Sequence, residues 1–367
     1  MAGITSQATS VPDGLEVVRT RDESEALERP ALLVVDEVER FLDEHGLGTG
    51  PLSWMRIGDG QSNVTYRLDR GDATFVMRRG PRPPLPHSAH DMGREARLLS
   101  SLRAAGAPVP EVLAICDDTE PLGVNFYIMT LVDGFVALDR LPAAFDTVEH
   151  RRGISVALVE TLVGLHEIDI ETTGLVDFGR PNGYLERQVA RFASLWEQNT
   201  VRSIPAIDVL TNWLADNVPT SQDATVVHGD YRLGNLIIGA EPPPRVAAVL
   251  DWELATVGDP LADLGYLVAT YSDAGSEGSF MELSPVTRRE GFLTRDELVA
   301  EYARATGRDL SALPWHRTLA LWKSAIFSEA IYTRWLNGER PEDATFGPTL
   351  GKGIPAILEM ARGIAGV

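Results

Sequence analysis

Cysteine is almost absent from this chain: Cys116 is its only cysteine, so no disulfide can form within it. Nothing in the sequence therefore requires an oxidising compartment. The first 14 residues are polar and lack the apolar core of a signal peptide. No run of about 18 apolar residues is present, so no helix is expected to span a membrane. These absences together predict a cytoplasmic protein.

Basic residues are also few: the chain has 33 Lys and Arg residues against 53 Asp and Glu residues, which gives a net charge of −20. A chain this acidic is not expected to bind nucleic acid or an anionic membrane surface. What the chain does have is apolar content, 44% of 367 residues. That amount excludes a disordered protein and is enough for two lobes with full cores.

Polar functional side chains concentrate between His228 and Asn235, in the order His-x-Asp-x-x-x-x-Asn with Asp230 in the middle. Asp251 follows an apolar run a short distance later. Kinase-type phosphoryl transfer uses this spacing, in which one Asp positions the attacking hydroxyl while an Asn and a second Asp hold Mg²⁺ through oxygen atoms. Asp and Asn are also ordinary turn formers, so the pattern alone leaves a plain turn open.

The N-terminal half contains matching features. Gly58-x-Gly60-x-x-Asn63 lies between two predicted strands, where glycines would let backbone N–H groups approach phosphate oxygens. Two glycines in a hairpin usually form just a turn, so this pattern by itself is a weak indication of phosphate binding. Arg78 ends the next strand, and Glu95 lies on the following helix. We expect these two side chains to form an ion pair, with Arg in place of the kinase lysine that contacts phosphates.

The order of predicted elements is strands with one main helix, a hinge at Asp133-Gly134, and then mostly helices. This order predicts an α+β protein of two lobes, a small antiparallel N-lobe (1–132) and a larger helical C-lobe (133–367), with a cleft between them. A helix is expected over Leu32 to His45. Residues 1–30 are expected to be loosely ordered, and Ser272 to Arg289 to form a surface loop.

Taken together, these residues resemble the aminoglycoside phosphotransferase/choline kinase superfamily, small-molecule relatives of protein kinases, from about Trp54 to Tyr266. More narrowly, the chain looks like the branch whose members also occur fused ahead of acyl-CoA dehydrogenase domains, which similarly carries Arg at the strand position. No dehydrogenase domain is expected within this chain. The resemblance implies a protein-kinase-like fold that uses ATP and Mg²⁺.

The resemblance also implies roles for individual residues. By this resemblance, Asp230 is expected to be the catalytic base and Arg232 to face the γ-phosphate. Asn235 and Asp251 are expected to bind Mg²⁺. Nucleotide binding is implied for Gly58, Gly60, Gln61, Ser62, Asn63, Arg78, Glu95 and the backbone of Thr130, Leu131 and Val132. His228 is expected to brace the loop.

The substrate is expected to be small. Only seven residues separate Asp251 from Asp259, which is expected to cap the next helix, so the long activation segment of protein kinases has no counterpart and no protein substrate is expected. The acceptor could be a hydroxylated metabolite, such as a hydroxyacyl-CoA, or an aminoglycoside-like cation. If it carries CoA, its phosphates need a basic patch, for which the candidates are Arg151, Arg152, Arg187 and Arg191. A non-catalytic nucleotide-binding pseudokinase and an interaction module are the alternatives.

Overall fold

The computed structural model describes residues 16–58, 63–83, 91–276, 278–339 and 347–367. The chain divides into two compact units, Met1–Val132 and Asp133–Val367. The N-terminal unit is built on an antiparallel sheet, and the C-terminal unit is mainly helical. The predicted α+β fold class is confirmed.

Strands dominate the described part of the N-terminal unit. Its helices are α1 (Arg21–Glu25), α2 (Val35–Glu44) and α3 (Met92–Ala104). Its strands are β1 (Val17–Val18), β2 (Leu33–Val34), β3 (Leu52–Arg56), β4 (Val64–Arg70), β5 (Ala73–Arg79), β6 (Val112–Cys116) and β7 (Phe126–Thr130). The last five strands form an antiparallel sheet in the order β3-β4-β5-β7-β6. β1 and β2 pair in parallel as a separate two-stranded sheet.

Alternation along β4 explains how this sheet gains a core. Val64, Tyr66 and Leu68 are buried, while the residues between them are partly exposed. Because successive side chains of a strand point to opposite faces, one face of the sheet is fully covered. The cover is provided by α2, whose Phe41 and Leu42 pack into the same apolar cluster.

Residues 16–30 are better ordered than the sequence predicts. Val18 is buried, and Leu32 N–H donates to the Glu16 carbonyl at 2.7 Å, which holds β1 beside β2. The prediction of a loosely ordered segment is therefore wrong over its described part, because this polar stretch contributes a strand and a capped helix. The helix predicted from Leu32 begins only at Val35, since the preceding two residues form β2.

Helices dominate the C-terminal unit. In its described residues the helices are α4 (Val148–His166), α5 (Tyr184–Asn199), α6 (Pro205–Asp216), α7 (Leu261–Thr270), α8 (Arg295–Thr306), α9 (Leu313–Leu336) and α10 (Gly347–Ala365). Its short strands are β8 (Thr225–Val227), β9 (Leu236–Ile238), β10 (Val246–Val249) and β11 (Thr256–Gly258). β9 pairs with β10, and β8 with β11, both antiparallel. Over the described ranges, none of the helices combines the length and apolar character needed to cross a membrane.

The segment predicted as a surface loop, Ser272 to Arg289, is largely anchored inside the C-terminal unit. Ser272, Ser284 and Thr287 are all buried, and the Thr287 hydroxyl donates to the Ser272 carbonyl at 2.7 Å. The prediction of a surface loop is wrong for these residues, because all three are buried and the Thr287 hydroxyl bonds to the backbone of the same segment.

Gly134 positions the chain against β9. Phe135 and Ile238 exchange two backbone hydrogen bonds, of 2.9 and 2.8 Å. A Cβ at Gly134, where φ is +151°, would lie 2.1 Å from the Ile238 carbonyl oxygen. Only glycine permits this close approach. The contact holds the strand that leaves the 228–235 loop.

Candidate active site

A hairpin assembles the two halves of the motif. β8 leads into the 228–235 loop, β9 leads out of it, and β10 returns beside β9. At the end of this pairing, Leu250 N–H donates to the Asn235 carbonyl at 2.8 Å. Asp251 therefore comes directly beside Asn235, although fifteen residues lie between them in the sequence.

The Asp230 carboxylate is held by three donors. Asn235 Nδ2 donates to Oδ2 at 2.7 Å, and Arg232 Nε lies 3.3 Å from Oδ1. The Tyr266 hydroxyl is a third donor, and burial together with the Asp230 charge raises the pKa of Tyr266 well above its usual value. The Asp230 side chain remains 18% exposed. It is thus fixed in direction yet reachable, the geometry that a general base needs.

Asp251 has an unusual backbone. Among the described residues it is the only non-glycine residue with positive φ, at +66°. Such conformations cost on the order of 1–3 kcal/mol and persist where function requires them. Asn235 Nδ2 donates to Asp230, so the amide oxygen is the atom of the Asn235 side chain with lone pairs for a metal ion. That oxygen and the Asp251 carboxylate fit a magnesium ion, which prefers oxygen donors.

Asp263, which no motif in the sequence indicated, anchors the start of the 228–235 loop. It is buried in α7 and accepts hydrogen bonds from the backbone N–H of His228 at 2.7 Å and of Gly229 at 2.8 Å. Burial opposes its ionisation, but hydrogen bonding from His166 and the nearby His228 keep the pKa of Asp263 below its ordinary value. A charged carboxylate therefore anchors the start of the loop.

His228 braces the loop, as predicted. Its ring Nε2 donates to the Leu250 carbonyl at 2.8 Å, and the ring packs against Trp252 with centroids 4.5 Å apart. Because Leu250 immediately precedes Asp251, this contact ties the beginning of the loop to the residue at the strand end. His228 is buried, so its role is structural.

The predicted ion pair between Arg78 and Glu95 is confirmed. Arg78 Nε lies 3.0 Å from Glu95 Oε1, and the Tyr127 hydroxyl donates to the same oxygen at 3.2 Å. Asp91 caps the helix that carries Glu95 by accepting from Arg94 N–H at 2.8 Å. The pair is nearly buried within the N-terminal unit, with Arg78 14% and Glu95 4% exposed.

Arg79, the next residue, points to the opposite face of β5. Its guanidinium is fully buried and donates to the carbonyls of Leu32 at 2.6 Å and Leu122 at 3.4 Å. Burial lowers the pKa of Arg79 to about 10. Arg79 thus holds the N-terminal segment, and only Arg78 of the two faces Glu95.

The remaining residues predicted to bind nucleotide are only partly described. Gly58 has φ of +76°, Asn63 is buried, and Gly60, Gln61 and Ser62 lie outside the described residues. Thr130 N–H donates to the Glu111 carbonyl at 2.9 Å, so this N–H is engaged within the N-terminal unit. Leu131 and Val132 follow the end of β7.

Asp259 and His316 form a second buried polar pair. Asp259 accepts from Leu261 N–H at 2.9 Å, which is the predicted helix cap, and from Gln222 N–H at 3.2 Å. His316 Nε2 lies 3.8 Å from Asp259. Burial lowers the pKa of His316 to about 4, with Asp259 opposing the shift. His316 is therefore neutral at physiological pH.

The protein is expected to lose stability as pH falls from 6.5 to 4. In this window the unfolded chain binds a proton at His316 that the folded chain excludes. Each pH unit then costs about 1.4 kcal/mol, so His316 alone removes ~3 kcal/mol of the free energy of unfolding. Urea unfolding at pH 7 and at pH 4.5 measures the loss. His316→Gln should flatten this part of the dependence, and equal slopes in both proteins would contradict the assignment.

Residues 53–317 match the family described as "Phosphotransferase enzyme family". The chain belongs to this family. The predicted superfamily and the predicted phosphotransferase class are confirmed at the level of the family.

Individual relatives agree with this placement. The chain is 34% identical to "Acyl-CoA dehydrogenase family member 11" from Rattus norvegicus over 90% of this chain and 43% of that protein, so it spans less than half of that relative. It is 30% identical to the structure of a putative aminoglycoside phosphotransferase from Ralstonia eutropha, with a TM-score of 0.76, covering 90% of this chain and 98% of that one. The aminoglycoside phosphotransferase APH(4)-Ia, in a complex with ADP and hygromycin B, shares the fold at 15% identity, a TM-score of 0.57, and coverage of 88% and 98%.

Proposed function

We propose that this chain is an ATP- and Mg²⁺-dependent O-phosphotransferase that acts on the hydroxyl group of a small molecule. The observation that carries the proposal is the Asp230 carboxylate, which is oriented by Asn235 and Arg232 and lies in a loop joined to Asp251 by backbone hydrogen bonding. A positioned carboxylate and two oxygen donors are the minimal protein groups that this reaction requires. The ADP held by a phosphotransferase of the same fold supports the choice of nucleotide.

In the proposed reaction, Asp230 accepts a hydrogen bond from the acceptor hydroxyl and takes its proton as the new oxygen–phosphorus bond forms. The bond between the γ-phosphorus and its bridging oxygen breaks, and ADP leaves. Asn235 and Asp251 would hold Mg²⁺, which neutralises phosphate charge when bound. Arg232, already paired with Asp230, would add positive charge near the transferred group.

The nucleotide contacts are assigned to the N-terminal unit. Arg78, oriented by Glu95, would contact the α- and β-phosphates through its guanidinium. The loop that runs from Gly58 to Asn63 would cover the phosphates, and the backbone of 130–132 would contact adenine. The C-terminal unit would carry the acceptor site and the 228–235 loop, which is the catalytic loop of this proposal.

Replacing Arg78 by methionine is expected to raise the KM for ATP about 10–100-fold, because charge-assisted hydrogen bonds to phosphate are lost. The KM for ATP of Arg78→Lys should lie between those of the unchanged protein and Arg78→Met, since the charge remains but the forked geometry is lost. Arg67→Met is the matched control, because Arg67 lies on β4 and pairs with Asp69 at the surface. Initial rates at varied ATP measure the effect, and an unchanged KM for ATP would remove Arg78 from the nucleotide site.

A hydroxylated metabolite, such as a hydroxyacyl-CoA, is the acceptor we favour. The curated relative, named as an acyl-CoA dehydrogenase family member, supports this choice over an aminoglycoside. Steady-state kinetics on kanamycin-type drugs beside hydroxyacyl-CoA thioesters tests it. A kcat/KM of about 10⁴ M⁻¹s⁻¹ or above on an aminoglycoside, within the ordinary range of enzymes, would overturn the preference.

A non-catalytic nucleotide-binding protein is the second candidate. Calorimetry with Mg·ATP and a turnover assay separate the two, because a pseudokinase binds the nucleotide without consuming it. The presence of Asp230, Asn235 and Asp251 together in one hairpin favours the enzyme.

A further inference from the structure

Lysine is rarer in this chain than its total of basic residues suggests. Only Lys323 and Lys352 are present, against 31 arginines. Lys352 is exposed on α10, whereas Lys323 is partly buried on α9. Removing an ammonium group from water is costly, so a lysine retained at an inner position calls for a chemical reason.

The surroundings of Lys323 come from α5. Lys323 Nζ donates to Gln188 Oε1 at 2.9 Å and lies 4.6 Å from the centre of the Phe192 ring. Phe327, one turn further along α9 and 48% exposed, packs edge-on against Phe192 with centroids 5.3 Å apart. We name the group Gln188, Arg191, Phe192, Lys323 and Phe327 the Lys323 patch.

The Lys323 patch has an excess of positive charge. Among the described residues, no carboxylate pairs with Lys323, and the charges that act on it are Arg191 and Asp263. Asp263 is already engaged by two backbone N–H groups of the catalytic loop. Burial first, and then Arg191, lower the pKa of Lys323 to about 8. An ammonium with one neutral acceptor and one aromatic face has hydrogen-bonding capacity left for an anion.

The other three arginines considered for a basic patch have contacts elsewhere. Arg151 binds Asp146 at 2.7 Å, Arg152 lies 3.7 Å from Glu297, and Arg187 donates to the carbonyls of the turn that precedes α5. Of the four arginines considered for a basic patch, Arg191 alone lies beside Lys323. Lys323 and Arg191 therefore place two positive charges near each other, and among the described residues neither forms an ion pair.

We propose that the Lys323 patch binds an anionic group of the acceptor, a phosphate or a carboxylate, while the acceptor hydroxyl is presented to Asp230. This inference rests on the proposed function and extends it to a substrate class, an anionic hydroxyl compound with an apolar part. The exposed Phe327 ring beside Lys323 provides the surface for that apolar part. Polycationic acceptors are repelled by the same charges.

Two lysines make a direct test possible. Reductive methylation with ¹³C-formaldehyde preserves the lysine charge and labels Lys323, Lys352 and the N-terminal amine, and the spectrum of Lys323→Arg assigns the signals. The labelled protein, saturated with Mg·ADP, is titrated with pyrophosphate, 3-hydroxybutyrate and, as the uncharged analogue, 1,3-butanediol. We expect a saturable shift of the Lys323 signal with an anion and none at Lys352.

The two anions distinguish a phosphate-bearing from a carboxylate-bearing acceptor, since the preferred group should saturate at lower concentration. No shift at Lys323 with either anion, or an equal shift with butanediol, would overturn the proposal. Calorimetry with Mg·ADP is run on the same sample. Failure to bind Mg·ADP would count against the proposed function. The shift of the Lys323 signal would still show whether the patch binds an anion.

Kinetics give a second, independent readout. Lys323→Met is expected to raise the KM for an anionic acceptor about 10–100-fold and to leave the KM for Mg·ATP nearly unchanged, because a charged hydrogen bond to the acceptor is lost. Lys323→Arg should recover part of the loss, and Lys352→Met should have no effect. A Lys323→Met protein that loses stability but keeps the wild-type KM would show that Lys323 only packs α5 against α9.

Discussion

Replacing Asp230 by asparagine is expected to lower kcat by a factor of about 10²–10⁴, while the Kd of Mg·ATP stays close to that of the unchanged protein. Asparagine has nearly the same shape, and its single oxygen can still accept a hydrogen bond from Arg232 or from Asn235. It cannot take a proton from the acceptor hydroxyl. The mutation therefore removes the proton transfer and leaves the nucleotide contacts in place.

Single-turnover kinetics and calorimetry measure these two quantities separately. Asp223→Asn is the control, because Asp223 is exposed just before β8 and makes the same change of charge outside the catalytic loop. A kcat within a few-fold of wild type for Asp230→Asn would exclude Asp230 as the base. A kcat and an ATP affinity that fall together would indicate a collapsed loop instead.

Asp263→Asn is expected to have the second largest effect, lowering the free energy of unfolding by about 3 kcal/mol and kcat by at least about tenfold. The carboxylate accepts the N–H groups of His228 and Gly229 with separate oxygens. An amide has one oxygen and must turn its own N–H₂ towards the other donor. The start of the catalytic loop then loses one of its two anchors.

Asp259→Asn separates anchoring of the loop from burial alone. Asp259 is equally buried and also accepts two backbone N–H groups, those of Leu261 and Gln222, but neither belongs to the catalytic loop. Asp259→Asn should lose stability and keep most of kcat. Denaturant unfolding and steady-state rates measure both variants. Equal kcat losses in the two would mean that Asp263 acts through general stability.

Local patterns located the polar groups of the candidate site wherever those groups lie on one strand, loop or helix. The spacing of His228, Asp230 and Asn235 identified the loop, and the apolar run before Asp251 identified the strand that delivers it. The capping box of Thr294 and Glu297, a pattern visible in the sequence, opens α8. These predictions hold because strand alternation and helix capping depend on neighbouring residues only.

Contacts between distant segments were beyond those patterns. Arg79 is adjacent to Arg78 and chemically identical, and only the packing of β5 directs it away from Glu95 to the carbonyls of Leu32 and Leu122. The sequence of the Ser272 to Arg289 segment predicts a surface loop, yet Ser272, Ser284 and Thr287 are buried inside the unit.

The sequence by itself determined the α+β class, the order of polar groups from His228 to Asp251 and the pairing of a strand arginine with a helix glutamate. The tertiary structure alone decided which buried charges lie beside those groups. Asp263 accepts a hydrogen bond from His228, which is 35 residues away in the sequence, and Lys323 donates one to Gln188, which is 135 residues away. The reason is physical: a motif records the order of groups along the chain, whereas the packing of α5, α7 and α9 determines which buried charges share a neighbourhood.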